Sequence, residues 1–163
     1  MRHTVRGYED AGVAAIQIED QEFPKKCGHT RGRRVIPLRD MLKKVEVALE
    51  ARRCDDFLVI ARTDARTTMG IEEAIARGIA FAAAGADVVF IESPESEDEF
   101  RRIADTVDAP LLANMVEGGY SPMVSREGLR DLGFAIAIYP GTGFMSVAAL
   151  LGSVYSHLQE HGT

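Results

Sequence analysis

The chain has 163 residues, 46% of them hydrophobic and 27% charged, which suits a single globular domain with its own core. A net charge of −6 argues against nucleic acid as a partner, and no apolar run approaches the roughly 20 residues of a membrane span. Two cysteines make no disulfide framework, and the opening MRHTVRGYED has no apolar leader core, so the reducing cytoplasm is the simplest compartment.

Strands and helices alternate along the chain. VAAIQI (13–18) is a short, mostly apolar run expected to form a buried strand. A loop rich in Pro, Lys, Gly and Arg runs to about residue 36. PLRDMLKKVEVALEARR (37–53) starts on Pro, and Leu38, Met41, Leu42, Val45 and Leu49 then share one helical face. FLVIA (57–61) is the next strand. GIEEAIARGIAFAAAG (70–85) is an Ala-rich helix stopped by Gly85, and DVVFI (87–91) is a strand. SEDEFRRIADTV (96–107) opens with Ser96 and, three residues on, Glu99, the pattern of a capping box. PLLAN (110–114) is a strand, SREGLRDLG (125–133) a helix capped by Ser125, FAIAIY (134–139) a strand, and a last helix fills about 143–160. AGVAAIQIED, AGADVVFIES and LGFAIAIYP repeat one βα pattern, and no linker or domain boundary interrupts it.

This alternation predicts an α/β fold with a parallel sheet covered by helices. Five strands suffice for a doubly wound sheet, whereas a closed (β/α)8 barrel needs eight. In both folds functional side chains gather at the C-terminal ends of strands. Here those ends carry Glu19-Asp20, Arg62-Thr63-Asp64, Glu92, Asn114 and Tyr139, while the strand bodies are apolar.

Several groups have both a chemical and a structural reading. Cys27 lies in a polar loop beside Lys25, Lys26 and His29, and nearby cations favour a reactive thiolate. A buried structural cysteine is the alternative, and a zinc site would need two further ligands. Cys54, in RRCDD, reads as incidental. Glu19 and Asp20 suit a hard metal such as Mg2+ or a salt bridge, and adjacent strand residues point to opposite sides, so one of them faces a site. Arg62 can clamp a substrate carboxylate or pair with Asp64 or Glu92. Asn114 is a turn residue or an amide donor to an oxyanion. PGTG (140–143) is a tight turn or an anion cradle, and ARTDARTTMG (61–70) is a lid or simply a loop. His3, His157 and His161 belong on solvated faces near the termini.

The run K-K-C-G-H (25–29) resembles the signature of the isocitrate lyase/phosphoenolpyruvate mutase superfamily. IEDQ (18–21), ARTDA (61–65), the Glu92 strand end and ANMVEGG (113–119) follow in that family's order, so the resemblance covers essentially the whole chain. It implies a Mg2+-dependent (β/α)8 barrel, a homo-oligomer (usually a tetramer) with a helix swapped between subunits, and a small carboxylate substrate rather than nucleic acid or membrane. Such lyases cleave a C–C bond of a 2-hydroxy di- or tricarboxylate of methylisocitrate or alkylmalate type. A 2-oxo acid leaves, and the other fragment departs as a carboxylate-stabilised carbanion. By the resemblance, Cys27 protonates that carbanion, and Lys25 and His29 set the charge and geometry of its loop. Gly28 lets backbone approach the substrate. Arg62, Glu92 and Asn114 hold substrate carboxylate and oxyanion, and Glu19 belongs to the Mg2+ shell.

Two departures qualify the match. No D-x-D precedes IEDQ, so residues 1–163 are expected to form one partial TIM-barrel domain of about five βα units, lacking the N-terminal strands and their metal-binding aspartates. An inactive truncated chain is then one alternative. Val116 and Met145 stand where methylisocitrate lyases carry Thr and Arg, which favours a dicarboxylic alkylmalate over a tricarboxylate. A carboxyphosphonoenolpyruvate or phosphoenolpyruvate phosphonomutase is the other alternative. Phosphoenolpyruvate mutase itself lacks the C-G-H pattern.

Overall fold

In the computed structural model, which describes residues 1–30 and 32–163, five parallel strands lie side by side in chain order. They are β1 (Ala15–Glu19), β2 (Leu58–Thr63), β3 (Val88–Ile91), β4 (Leu111–Asn114) and β5 (Phe134–Ile138). The helices are α1 (Arg2–Asp10), α2 (Leu38–Ala51), α3 (Arg66–Met69), α4 (Ile71–Ala83), α5 (Glu97–Thr106), α6 (Arg126–Asp131) and α7 (Thr142–His161). A doubly wound sheet reverses direction at a switch point; this one does not. Successive right-handed crossovers in one direction put their helices on one face and leave the other as a barrel interior. The architecture is therefore five βα units of a TIM barrel.

Side-chain alternation along the strands builds the two faces. Val59, Ala61, Val89, Ile91, Leu111 and Ala113 join the main core with Met41, Val45 and Ala48 of α2, Ala74, Ile75 and Phe81 of α4, and Phe100 and Ile103 of α5. Ile60, Val88, Phe90, Leu112, Ile136 and Ile138 form a second apolar cluster on the interior face. One step further along the interior rows come Glu19, Arg62, Glu92 and Asn114. Register pairs Glu19 with Arg62 and Arg62 with Phe90, while Phe90 pairs with Leu112, so Glu19 and Arg62 form one level and Glu92 and Asn114 stand one level above it.

The capping signals hold. Ser96 Oγ accepts the Glu99 N–H at 3.2 Å, and Ser125 Oγ accepts the Gly128 N–H at 3.0 Å. Gly85 ends the α4 unit at φ +91°, where a side chain would be strained. Two expectations need correction, and two further features lie outside them. β1 begins two residues late, at Ala15, because Val13 is exposed. Residues 66–69 of the expected loop form a helical turn. RHTVRGYED forms α1, although only Val5 is buried and Gly7 interrupts the pattern. Tertiary contacts fix it instead: Glu9 accepts the N–H groups of Arg53 and Cys54 at 2.8 and 2.7 Å. α7 buries none of its residues, and Phe144, Leu150 and Tyr155 are each more than 60% exposed.

Candidate active site

Glu19 and Asp20 part company as alternation requires. Asp20 turns outward, fully buried, accepting from Thr63 Oγ1 (2.7 Å), the Asp64 N–H (2.9 Å) and Arg77 Nη1 (3.0 Å). Burial dominates these donors and raises its pKa. Glu19 turns inward, with Lys25 Nζ 2.9 Å from both carboxylate oxygens and Arg62 Nε at 3.5 Å.

Arg62 is the hub. Its Nε and Nη2 donate to both oxygens of Asp64 at 2.9 Å, its Nη1 lies 3.0 Å from Glu92, and its guanidinium sits 5.0 Å above the Phe90 ring. Sequence reading offered pairing with Asp64 or Glu92 against clamping a substrate. The structure makes both pairings and leaves Nη1 facing the interior carboxylate. Burial opposes the charge on Arg62, but Asp64, Glu92 and Glu19 outweigh it and raise the pKa. Asp64 moves the other way: burial would raise its pKa, yet Arg62 and Arg33 together hold it below the ordinary value of 3.8.

Glu92 is buried at 1% exposure. Asn114 Nδ2 donates to its oxygens at 3.2 and 3.4 Å, Ser93 Oγ stands at 3.1 Å, and His29 Nε2 approaches to 3.2 Å without full hydrogen-bond alignment. Burial again opposes ionisation, but His29, Arg62 and Asn114 outweigh it and keep the carboxyl below its usual 4.5. The Tyr120 N–H donates to His29 Nδ1 at 3.2 Å. The neutral ring therefore carries its proton on Nε2, facing Glu92.

The K-K-C-G-H loop closes onto this rim. A Cβ on Gly28 would lie 2.5 Å from Arg62 Nη2 and 2.9 Å from Glu92 Cδ, so only glycine fits there. Its carbonyl accepts from Ser93 Oγ at 3.1 Å. Ser93 is the one described non-glycine residue with positive φ, +61°, a conformation that costs on the order of 1–3 kcal/mol. Cys27 is exposed beside this contact. The lysines expected to surround it are engaged elsewhere, Lys25 with Glu19 and Lys26 with the Gly32 carbonyl at 2.9 Å.

Of the residues expected from sequence, Glu19, Lys25, Gly28, His29, Arg62, Glu92 and Asn114 thus form one connected cluster, with Cys27 on its loop. Tyr139 stands outside it, 43% exposed. The PGTG turn does receive an anion, but it is the protein's own. Thr142 Oγ1 donates to Glu117 Oε1 at 2.5 Å, and that bond lowers the Glu117 pKa. Sequence reasoning missed Arg33, buried against Asp64 at 2.7 Å, as well as Ser93 and the buried Gln21. No spacing rule singles these out.

Mg2+ prefers about six oxygen ligands. Glu19 Oε1 and Asn114 Oδ1 are buried acceptors without an aligned donor among the described residues, but no group of three or more candidate ligands converges among them. These residues do not by themselves make a Mg2+ site.

A five-stranded parallel sheet with a charged rim at its strand ends, and a thiol-bearing loop closed onto that rim, is a barrel-type site. Residues 1–158 match the family model described as phosphoenolpyruvate phosphomutase. The chain belongs to this family, within the phosphoenolpyruvate mutase/isocitrate lyase superfamily. It is 48% identical to the 2,3-dimethylmalate lyase of Eubacterium barkeri over 98% of this chain and 55% of that one. It is 46% identical to the 2-methylisocitrate lyase of Aeropyrum pernix over 100% and 52%. A crystal structure of 2,3-dimethylmalate lyase superposes with a TM-score of 0.94 at 36% identity, covering 99% of this chain and 55% of that one. A phosphonopyruvate hydrolase solved with oxalate and Mg2+ superposes at 0.82 and 28% identity, covering 99% and 56%. The chain spans about half the length of the curated relatives it matches.

Proposed function

We propose that these residues form the Cys27 half of a C–C lyase site acting on a 2-hydroxy dicarboxylate of alkylmalate type, within one partial barrel domain spanning residues 1–163. The observation that carries this reading is the contact of Gly28 and His29 with the Arg62–Glu92 pair, which sets the Cys27 loop against a buried rim of paired charges and an amide. Arg62 and Asn114 orient the substrate's carboxylate and oxyanion by giving up their N–H contacts with Glu92 to the substrate's oxygens. Transfer of the alcohol proton to a carboxylate of the rim, with rupture of the adjacent C–C bond, releases a 2-oxo acid. The electron pair stays on the departing carboxylate fragment, and the Cys27 thiol supplies the proton that quenches it. The loop, once closed over substrate, keeps bulk water from that carbanion. Glu19 would be this chain's one contribution to the surroundings of a Mg2+ ion, which would supply charge stabilisation there, and the remaining ligands would have to come from outside these residues. Val116 and Met145, apolar where a third carboxylate would need partners, support the dicarboxylate. The exposed apolar residues of α7 support association into a homo-oligomer. Among the described residues no helix is long and apolar enough to cross a membrane, and two unpaired cysteines support a cytoplasmic site of action.

The test is 2-oxo acid release from 2,3-dimethylmalate and from 2-methylisocitrate by the purified protein with Mg2+, followed by the Cys27→Ser variant. The expected pattern is preference for the dimethylmalate and loss of turnover in the variant. Retained turnover in Cys27→Ser removes the proton-donor role. A phosphonate signal in 31P NMR from a phosphoenolpyruvate-type substrate would instead assign mutase chemistry.

A further inference from the structure

The position of Cys27 is set by what holds its neighbours. Gln21, 6% exposed, directs its side-chain amide at a single residue: Nε2 donates to the Lys26 carbonyl at 3.0 Å, and Oε1 accepts the Lys26 N–H at 3.0 Å. A primary amide offers one donor and one acceptor side by side, so it pairs with this peptide as a strand neighbour would. The base of the amide is rigid. Gln21 forms an antiparallel bridge with Val35, and Asp20 before it is tied to Thr63, Asp64 and Arg77. On the far side, the Cys27 carbonyl accepts from the N–H and Oγ1 of Thr30 at 3.0 and 2.8 Å, and the Gly28 carbonyl accepts from Ser93. The carbonyls of Lys26, Cys27 and Gly28 therefore each have a fixed donor, while the thiol between them stays exposed.

We propose that Gln21 is a positioning residue: its amide clamps the Lys26 peptide and thereby presents the Cys27 thiol to the Arg62–Glu92–Asn114 rim. What that position serves rests on the lyase reading above; the clamp itself does not. An alternative in which Gln21 only fills space predicts that an apolar side chain of similar length would do as well.

The experiment uses the Cys54→Ser protein, leaving Cys27 as the one thiol. A nitroxide on Cys27 reads the order of its backbone. Separately, inactivation by bromopyruvate, a carboxylate-bearing electrophile, is resolved into a binding constant and a maximal rate. Gln21→Met should give a more mobile nitroxide spectrum and a maximal rate lower by about tenfold, with the binding constant changed less than about twofold. Gln21→Glu keeps the acceptor for the Lys26 N–H and should recover part of both losses. Thermal midpoints serve as the folding control. An unchanged spectrum in Gln21→Met overturns the proposal, and so does a mobile spectrum with an unchanged maximal rate. If bromopyruvate fails to saturate even the parent protein, the carboxylate-site reading fails, and the nitroxide spectrum alone decides whether Gln21 holds Cys27.

Discussion

Replacing Gly28 by alanine places a methyl group 2.5 Å from Arg62 Nη2, 2.9 Å from Glu92 Cδ and 3.0 Å from Glu92 Cγ. Something must give, and relative costs decide what. Moving Arg62 off Asp64 and Glu92 breaks a buried, multiply bonded ion pair, a cost of about 3–5 kcal/mol. Lifting the loop instead sacrifices the Ser93–Gly28 bond, the Tyr120–His29 bond and the His29–Glu92 contact, at roughly 0.5–1.5 kcal/mol each. The loop is therefore the weaker partner. Gly28→Ala should raise it from the rim at a cost of about 2–3 kcal/mol while the Arg62–Asp64 pair survives. Urea denaturation should register part of that loss, and amide exchange should speed up at Tyr120 and Thr30 but not along β2 or β3. Any turnover through Cys27 should fall by about 30- to 150-fold, the rate equivalent of that energy. Exchange protection of the Tyr120 amide equal to that of the parent would refute the reasoning, because the loop would then have absorbed the methyl group in place.

Ser93 separates strain from bonding. Ser93→Ala keeps the +61° backbone but loses the hydroxyl, and should cost about 1–2 kcal/mol, whereas Ser93→Gly relieves the strain and should be close to neutral in thermal unfolding. A larger loss for glycine than for alanine would contradict this. Arg33→Met leaves Asp64 with Arg62 as its remaining guanidinium, so the cost should be about 2–3 kcal/mol in urea, short of a fully orphaned charge. A neutral result would show that Arg62 alone satisfies Asp64. The pH response follows from direction. Glu92 and Asp64 have depressed folded pKa values, so their contribution is complete above their ordinary 4.5 and 3.8 and is lost as pH falls through the lower folded values. Asp20 has a raised pKa and acts oppositely, its penalty appearing as pH rises through the folded value. Glu9, Glu99 and Glu117 are depressed as well, so five carboxyls oppose one, the thermal midpoint should drop as pH falls below about 4.5, and Glu92→Gln should flatten the drop. An equally steep drop in that variant would remove Glu92 from the cause.

The strands and most helices were legible because periodicity and caps are local. The sheet order was not: alternating βα units serve a doubly wound sheet and a barrel equally, and only the pairing of β1 through β5 in sequence separates them. α1 was illegible because it is held by Glu9 reaching Arg53 and Cys54, contacts made across more than 40 positions. The rim residues could be read from sequence, since a polar side chain ending an apolar strand has few other places to point. What sits on the rim could not. The Gly28–Ser93 bond joins residues 65 positions apart, and nothing in either neighbourhood announces the other. The lysines illustrate the opposite error. Adjacency in sequence suggested a charged surround for Cys27, but long side chains travel, and both ammonium groups found other acceptors.

Sequential strand order also dictates how the site comes into being. Each strand pairs with its immediate predecessor, so the sheet can grow one βα unit at a time with short loop closures and little entropic penalty. The charged rim does not grow that way. Arg62 has its inward acceptor only when β3 delivers Glu92, and Glu92 has its amide only when β4 delivers Asn114. The Cys27 loop, made early in the chain, has no seat until Ser93 and Tyr120 arrive. Order in that loop thus reports the completion of four strands, and a folding experiment that watches Cys27 would be timing β4.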